Sequence, residues 1–275
     1  MEIKINNVSY FYNENIPSID NINLNINKDK ITGIIGNGKT TLIKMLNAII
    51  IPNEGNININ KFNINKDINI KHINDLRKKI GLVFQFPEDQ FIKNKVIEEI
   101  SFALKNFRYK QDRIYKQVLE SLIMVGLDES YLDREINTLS ASEKRKVSIS
   151  SILVFNPKVI ILDEPTLNLD FNSSKKILKL LKLLNHKYHK TIIIASNDLD
   201  MLNTIIDDLV VLDKGKLVIS GNKDDVFKET KIFKKIGLKL PKIVEFSNIV
   251  KDKKQINLKN HIDIKELMKD IYRNV

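Results

Sequence analysis

Hydrophobic and polar positions alternate along the first part of the chain. Ile3, Ile5 and Val8 lead into Ser9-Tyr-Phe-Tyr12, and Ile22, Leu24 and Ile26 recur at every second residue. That pattern predicts antiparallel strands with one buried face. A short apolar strand, Ile31-Thr-Gly-Ile-Ile35, then runs into a glycine-containing turn. Behind it, Thr41-Leu-Ile-Lys-Met-Leu-Asn47 reads as a helix, with Leu42, Ile43, Met45 and Leu46 available for packing. Pro52, Asn53, Glu54 and Gly55 mark a turn before another alternating run through Ile57 and Ile59. The period then changes. Ile114, Val118, Leu122 and Val125 fall at i, i+4, i+8 and i+11, one stripe on a helix that Gly126 ends. Buried strands at 158–162 and 191–195, each preceded by a helical segment, argue for a parallel sheet with helices on its faces. After Gly221 the pattern weakens, and beyond about residue 230 the tail is Lys-rich with intermittent apolar residues.

Composition changes this picture only in places. The 275 residues fit one large domain, or one domain with a small appendage, and 43% hydrophobic residues can bury a real core. The net charge of +11 would suit nucleic acid, an anionic membrane face or a polyphosphate ligand. Lys, Asn and Ile are abundant throughout, however, as AT-rich coding would produce, so composition bias is the expected main source of the charge. Without cysteine there are no disulfides and no thiolate metal sites. The opening residues MEIKINNVSY show no signal peptide pattern. The longest wholly apolar runs, such as Val159-Ile-Ile-Leu162, are strand-sized, far short of the ~20 residues of a membrane span. A soluble chain is expected, with any membrane role supplied through a partner.

The candidate chemistry begins at Gly33-Ile-Ile-Gly-Asn-Gly-Lys-Thr40, which satisfies the written phosphate-loop pattern of Gly, four residues, then Gly-Lys-Thr. Backbone N–H groups in such a turn point at phosphate oxygens, and the following helix adds its positive end. Lys39 is suited to neutralise outer phosphates, and the Thr40 hydroxyl to ligate Mg²⁺. A second half lies at 159–164, where an apolar strand runs into Asp163 and Glu164. Asp163 would hold Mg²⁺ directly or through water, and Glu164 would polarise an attacking water. Alone, the Asp163-Glu164 pair reads equally well as two surface acids after a strand; together with the phosphate-loop pattern, set between an apolar strand and a helix, it favours the phosphate site.

With those motifs placed, residues 1–240 resemble the ABC ATPases, and most closely the energy-coupling-factor importers of vitamins and transition-metal ions. Tyr12 matches the aromatic residue that stacks on adenine. Gln85, within Gly81-Leu-Val-Phe-Gln-Phe-Pro-Glu-Asp-Gln90, matches the Q-loop glutamine that senses Mg²⁺ and the membrane subunits. Ser140, in Leu139-Ser140, begins the signature segment; Asp163-Glu-Pro-Thr-Leu-Asn-Leu-Asp170 matches the catalytic acid and D-loop. Gly215 and Gly221 match a late hairpin. The resemblance implies ATP and Mg²⁺ as ligands, with Gly36, Asn37, Gly38, Lys39, Thr40, Thr41, Tyr12, Gln85 and Ser140 around the nucleotide. Thr40, Gln85 and Asp163 would then surround the metal, with Glu164 and Asn197 at the catalytic positions. It also implies a head-to-tail pair of ATPase subunits, identical or not, each ATP lying between one subunit's phosphate loop and the other's signature. A membrane-embedded coupling subunit and a substrate-binding membrane subunit complete the implied assembly, which places this chain peripherally on the cytoplasmic face of the cell membrane. No nucleic acid is expected.

Three departures bear on activity. In the family the loop reads Gly-x-x-Gly-x-Gly-Lys after the strand; here Gly36-Asn37-Gly38-Lys39 is roughly three residues short of that pattern. Gly33 belongs inside the strand, so several N–H donors, each worth ~1.5–3 kcal/mol toward a charged acceptor, are missing. The signature reads Leu139-Ser140-Ala141-Ser142-Glu143, with side chains where two glycines let backbone approach a partner's γ-phosphate. Asn197 stands where the family has a histidine, and none of His72, His186, His189 or His261 is near it in sequence; all four read as surface residues.

The expected fold is an α/β P-loop NTPase of ABC type. A mixed-sheet core and an antiparallel N-terminal subdomain share residues 1–230 with a helical subdomain at about 95–150, and 231–275 form a small extension, placed for a dimer contact. The shortened loop is expected among exposed connections at the sheet's edge. The functional expectation is the ATP-binding subunit of an energy-coupling-factor type ABC importer with impaired turnover. The alternative is a non-catalytic structural or regulatory subunit whose partner supplies hydrolysis. A nucleic-acid-associated ABC protein is the third class, disfavoured by the single cassette and absence of a long coiled coil.

Overall fold

The computed structural model describes residues 1–13, 16–254, 267–269 and 272. In chain order the first elements are β1 (Ile3–Asn13), β2 (Ile16–Ile26), β3 (Ile31–Gly36), α1 (Lys39–Leu46), β4 (Glu54–Ile59), β5 (Phe62–Ile64), α2 (Ile70–Arg77) and β6 (Ile80–Val83). Then come α3 (Val96–Asn106), α4 (Gln111–Met124), α5 (Ala141–Leu153), β7 (Val159–Asp163), α6 (Phe171–His186), β8 (Thr191–Ala195) and α7 (Leu199–Asn203). The last are β9 (Asp208–Asp213), β10 (Lys216–Asn222), α8 (Lys223–Lys228), α9 (Thr230–Lys235) and α10 (Lys242–Lys254).

The strands form two sheets. The alternating N-terminal segments pair antiparallel in the order β2-β1-β4-β5. The second, mixed sheet has the order β10-β9-β3-β8-β7-β6, parallel except for the β9–β10 hairpin, which turns at Gly215. Continuously apolar strands suit a sheet covered on both faces, and here successive residues go to opposite sides. Ile160, Leu162, Ile192, Ile194, Leu209 and Val211 join the core under the helices; Val159, Ile161, Ile193, Ala195, Val210 and Leu212 join the core facing the antiparallel sheet and α1. Each Ile, Leu or Val among them contributes roughly 1.5–3 kcal/mol on full burial.

Helices α3, α4 and α5 pack on one another between β6 and β7. Ile114, Val118, Leu122 and Val125 are all buried, and Gly126, at φ 70°, ends the helix by donating its N–H to the Ile123 carbonyl at 2.9 Å. A hydrogen bond between the Ser121 and Ser150 hydroxyls, 2.8 Å long, ties α4 to α5. After residue 230, Phe233 of α9 packs on Phe227, and Val244 of α10 joins the same core. His72, His186 and His189 are exposed; His261 lies outside the described residues. Among the described residues no helix is long and apolar enough to cross a membrane.

Candidate phosphate-binding site

The parallel strands deliver their carboxyl ends to one edge. There β3 ends at Gly36, β7 at Asp163 and β8 at Ala195, with Asp163 paired to Ala195. Gly33 lies within β3, so only Asn37 and Gly38 separate strand from helix. Both flanking glycines are left-handed, Gly36 at φ 92° and Gly38 at φ 103°. A Cβ on Gly36 would fall 1.8 Å from the Leu212 carbonyl oxygen, and one on Gly38 would fall 2.9 Å from Ile19 Cδ1 and 3.0 Å from the Ser18 carbonyl oxygen. Only glycine fits at either place. The Asn37 carbonyl accepts from Gly215 N–H at 3.3 Å. The turn lies at the carboxyl edge of the sheet, as its sequence suggested, with Asn37 exposed and Gly36 and Gly38 half-buried. It leaves an interior strand and is wedged between β2 and the β9–β10 turn, because so short a link has no slack to arch outward.

No side chain caps α1, so its first-turn N–H groups and the positive end of the helix meet this edge. Lys39 Nζ lies 3.7 Å from Glu164 Oε1. Glu164 sits at φ 44°, a left-handed conformation costly for a side-chain-bearing residue, and is held there on several sides. Its N–H donates to the Ala195 carbonyl at 2.8 Å, its Oε2 accepts from the Ser196 hydroxyl at 2.5 Å, and its Oε1 accepts from Asn197 N–H at 3.1 Å. The Asn197 side chain turns inward, its Oδ1 accepting from Gly36 N–H at 3.2 Å.

Asp163 is buried, and its Oδ1 has no hydrogen-bond partner. Burial pushes its carboxyl above the ordinary carboxylate range, opposed by the hydrogen bond with the Thr40 side chain and by the Lys39 charge. An unsatisfied carboxylate oxygen beside a threonine hydroxyl is an oxygen donor pair suited to Mg²⁺. Among the described residues no three acidic or imidazole ligands converge, so such a cation would depend on ligand oxygens and water for the rest of its shell.

The remaining residues singled out in the sequence lie around this group at different removes. Tyr12, largely exposed, stacks edge-on against Tyr10 at 4.9 Å, and its hydroxyl is 3.5 Å from Thr41 Oγ1. Gln85 follows β6, the neighbour of β7, and its carbonyl accepts from Arg145 Nη2 at 2.8 Å, while Nη1 donates to the Phe84 carbonyl at 3.0 Å. Ser140 caps α5. Its hydroxyl and N–H both bond the Glu143 carboxylate, at 2.7 and 2.8 Å, and its hydroxyl accepts from Glu143 N–H. Those bonds run within the signature itself, none of them to Lys39 or Asp163. The Tyr131 hydroxyl, first, and the Ser140 N–H, second, hold the Glu143 carboxyl down to about 2. Three contributors escaped the sequence reading: Ser196 on Glu164, Arg145 on the Q-loop, and Ser18, whose hydroxyl bonds Thr41 Oγ1 at 2.8 Å. Only Ser196 had a local signal, its place beside Asn197 at the end of a buried strand.

The comparisons with known proteins agree with this architecture. The family model for ABC transporters matches residues 19–167. An energy-coupling factor transporter ATP-binding protein, EcfA2 of Clostridium perfringens, is 36% identical over 100% of this chain and 99% of its own length. The EcfA2 protein of Caldanaerobacter subterraneus subsp. tengcongensis is 36% identical over 90% of this chain and 88% of its own. Among solved structures, cbiO1 of Clostridium perfringens, described as part of the ABC transporter complex cbiONQ, superimposes with a TM-score of 0.75 at 34% identity, covering 90% of this chain and 98% of that one. The ATP-binding cassette MJ0796, seen as a dimer bound to ADP and Pi, gives a TM-score of 0.70 at 28% identity, covering 80% and 98%. Fold, motif order and full-length relatives converge: the chain belongs to the ABC transporter family, in its group of energy-coupling factor transporter ATP-binding proteins.

Proposed function

We propose that this chain is an ATP-binding subunit of an energy-coupling-factor type importer that holds Mg²⁺-ATP weakly and turns it over slowly or not at all. It would work on the cytoplasmic face of the membrane, paired with a second ATPase subunit and docked on a membrane-embedded coupling subunit that serves a substrate-binding one. The observation that carries the reading is Lys39 held 3.7 Å from Glu164 next to the unpartnered Asp163 Oδ1, all beside the uncapped start of α1. An incoming phosphate would take Lys39 from Glu164, freeing that carboxylate to orient and accept a proton from water. Thr40 and Asp163 would hold Mg²⁺, which when bound draws charge off the phosphate oxygens. Ser196 would keep Glu164 aimed while Lys39 leaves it. Weakness follows from the two-residue turn, which offers few N–H donors to the phosphates.

The non-catalytic reading draws on the Gly36 N–H, already engaged by Asn197, and on Ala141 and Ser142 in the signature. Titration calorimetry with Mg²⁺-ATP decides whether the site holds nucleotide. Binding in the unmodified chain that Lys39→Ala abolishes is the expected result. No heat at millimolar ATP would leave the chain as a scaffold for a partner that does the work.

A further inference from the structure

The opposite edge of the mixed sheet, where the parallel strands begin, carries a charge pattern that the nucleotide site does not use. Each of four neighbouring strands is preceded by a lysine: Lys79 before β6, Lys158 before β7, Lys190 before β8 and Lys30 before β3. Their backbones are joined side by side. The Lys79 carbonyl accepts from Lys158 N–H at 2.9 Å, the Lys158 carbonyl from Thr191 N–H at 3.0 Å, and the Lys30 carbonyl from Ile192 N–H at 3.0 Å. Strand spacing therefore sets Lys79, Lys158 and Lys190 roughly 5 Å apart at their roots, with Lys30 one position out of register, beside Thr191; like charges so close are unfavourable by themselves. Two of the four are answered within the chain. Lys30 pairs with Asp208 at 2.9 Å, and Lys190, buried, donates to the Pro157 carbonyl at 2.7 Å and to the Asn156 side chain.

Lys79 and Lys158 are not so answered. They line an open crevice of about 1250 Å³ together with Lys28, from the turn after β2, and Lys61, from the β4–β5 turn. None of these four ammonium groups has an acidic partner among the described residues, and the crevice's one lining carboxylate, Glu2, pairs with Lys4 at 3.7 Å. The local field is felt nearby: Lys190 is pushed down to about 8, by burial first and by the Lys158 charge second. General lysine richness explains many lysines, but not four uncompensated ones drawn from four separate turns onto one concavity. Asn27 and Asn60 line it too; the Asn27 carboxamide donates to Asp208 at 2.9 Å, and Asn60 adds a carboxamide donor.

From this convergence we infer that the crevice is a second anion site, for a small soluble ligand carrying several phosphate groups, on the face away from the nucleotide edge. Ammonium groups on flexible stems suit phosphates as point charges, and four of them match a ligand of three or more negative charges better than a single phosphate. The inference does not rest on ATP binding at Lys39.

The test is titration calorimetry with inorganic tripolyphosphate at about 0.15 M salt, where surface charges are screened beyond roughly 8 Å. The full chain carries Lys39→Ala, so that the phosphate loop contributes nothing. One-to-one binding is expected, weakened at least tenfold by adding Lys79→Ala and Lys158→Ala. The same charge removed from the exposed face of α6, by Lys175→Ala and Lys179→Ala, should change it less than twofold. Loss of all tripolyphosphate binding on Lys39→Ala alone would overturn the inference while leaving the nucleotide reading intact. Equal weakening by both double substitutions would overturn it too, in favour of diffuse charge. Sedimentation with phosphatidylglycerol vesicles that Lys79→Ala and Lys158→Ala abolish, without tripolyphosphate binding, would overturn it in favour of a lipid surface.

Discussion

Burial holds the Asp163 carboxyl above its ordinary range while its Oδ1 finds no donor, so in the chain alone this residue opposes folding at neutral pH. The sign follows from linkage. A carboxylate whose folded pKa lies above its unfolded value of 3.8 makes the folded state the better proton binder, so its contribution falls as pH rises from 3.8 through the raised value. Asp163→Asn is therefore expected to raise the thermal midpoint of the nucleotide-free protein, by about 2 °C for each kcal/mol relieved, and to flatten that part of the pH profile. The same substitution should remove the Mg²⁺-dependent part of ATP binding. A lower midpoint in scanning calorimetry would refute this account of Asp163. Asn197 acts in the opposite sense, because its Oδ1 occupies the Gly36 N–H. Asn197→Ala should free that donor and tighten ATP by about threefold, the scale of one modest hydrogen bond, with no gain in turnover. An affinity that falls would mean that Asn197 serves the nucleotide rather than the loop.

The turn between β3 and α1 decides how much phosphate chemistry the site retains, and lengthening it is the direct test. Inserting Gly-Ser-Gly after Asn37 adds little loop-closure entropy, under ~1 kcal/mol, yet gives the backbone room to arch over a phosphate. ATP affinity is expected to rise at least tenfold in titration calorimetry; an unchanged affinity would place the weakness elsewhere. At α5 the element depends on its start. Ser140→Ala should cost ~1 kcal/mol, as loss of an N-cap does, and should speed amide exchange over the helix's first turn. Glu143, whose folded pKa is depressed to about 2, stabilises above its ordinary 4.5, and that support is lost as pH falls through about 2. Periodicity made these elements readable: the Ile114–Val125 stripe and the alternation in β1 and β2 are local patterns, set by which face is buried. Strand order was not readable, since β3 lies between β8 and β9 through pairings distant in sequence. The wedging of Gly38 against Ser18 likewise needs two distant segments at once. Arg145 escaped notice because α5 has no clean apolar face to set off a buried charge.

Across the whole molecule the altered positions divide between two surfaces, and that division gives different results for different partners. The short turn and Asn197 lie at the ends of β3 and β8, while Ala141 and Ser142 open α5 beyond Ser140, on the helical arm. The motif order was legible because each motif is a short run, and the resemblance already assigned the phosphate loop and Asn197 to one composite site and Ala141 and Ser142 to the partner's; the fold adds where each sits on this chain. On the proposed head-to-tail pairing, a homodimer would place every alteration in both composite sites and should show no ATP turnover above background. A heterodimer with an intact subunit would split them. One site would have this chain's short turn facing an intact signature, and the other an intact loop facing Ala141 and Ser142. Side chains there obstruct approach but leave the Ser140 cap and the helix start in place, whereas the short turn removes donors outright. Residual hydrolysis should therefore come from the partner's loop. Glu164→Gln in this chain is expected to change steady-state phosphate release by the heterodimer less than twofold, while replacing the partner's corresponding glutamate should abolish it. A tenfold loss on Glu164→Gln alone would show that this chain's own site turns over after all, and that Lys39, Thr40 and the α1 N-terminus suffice to hold the phosphates without a full loop.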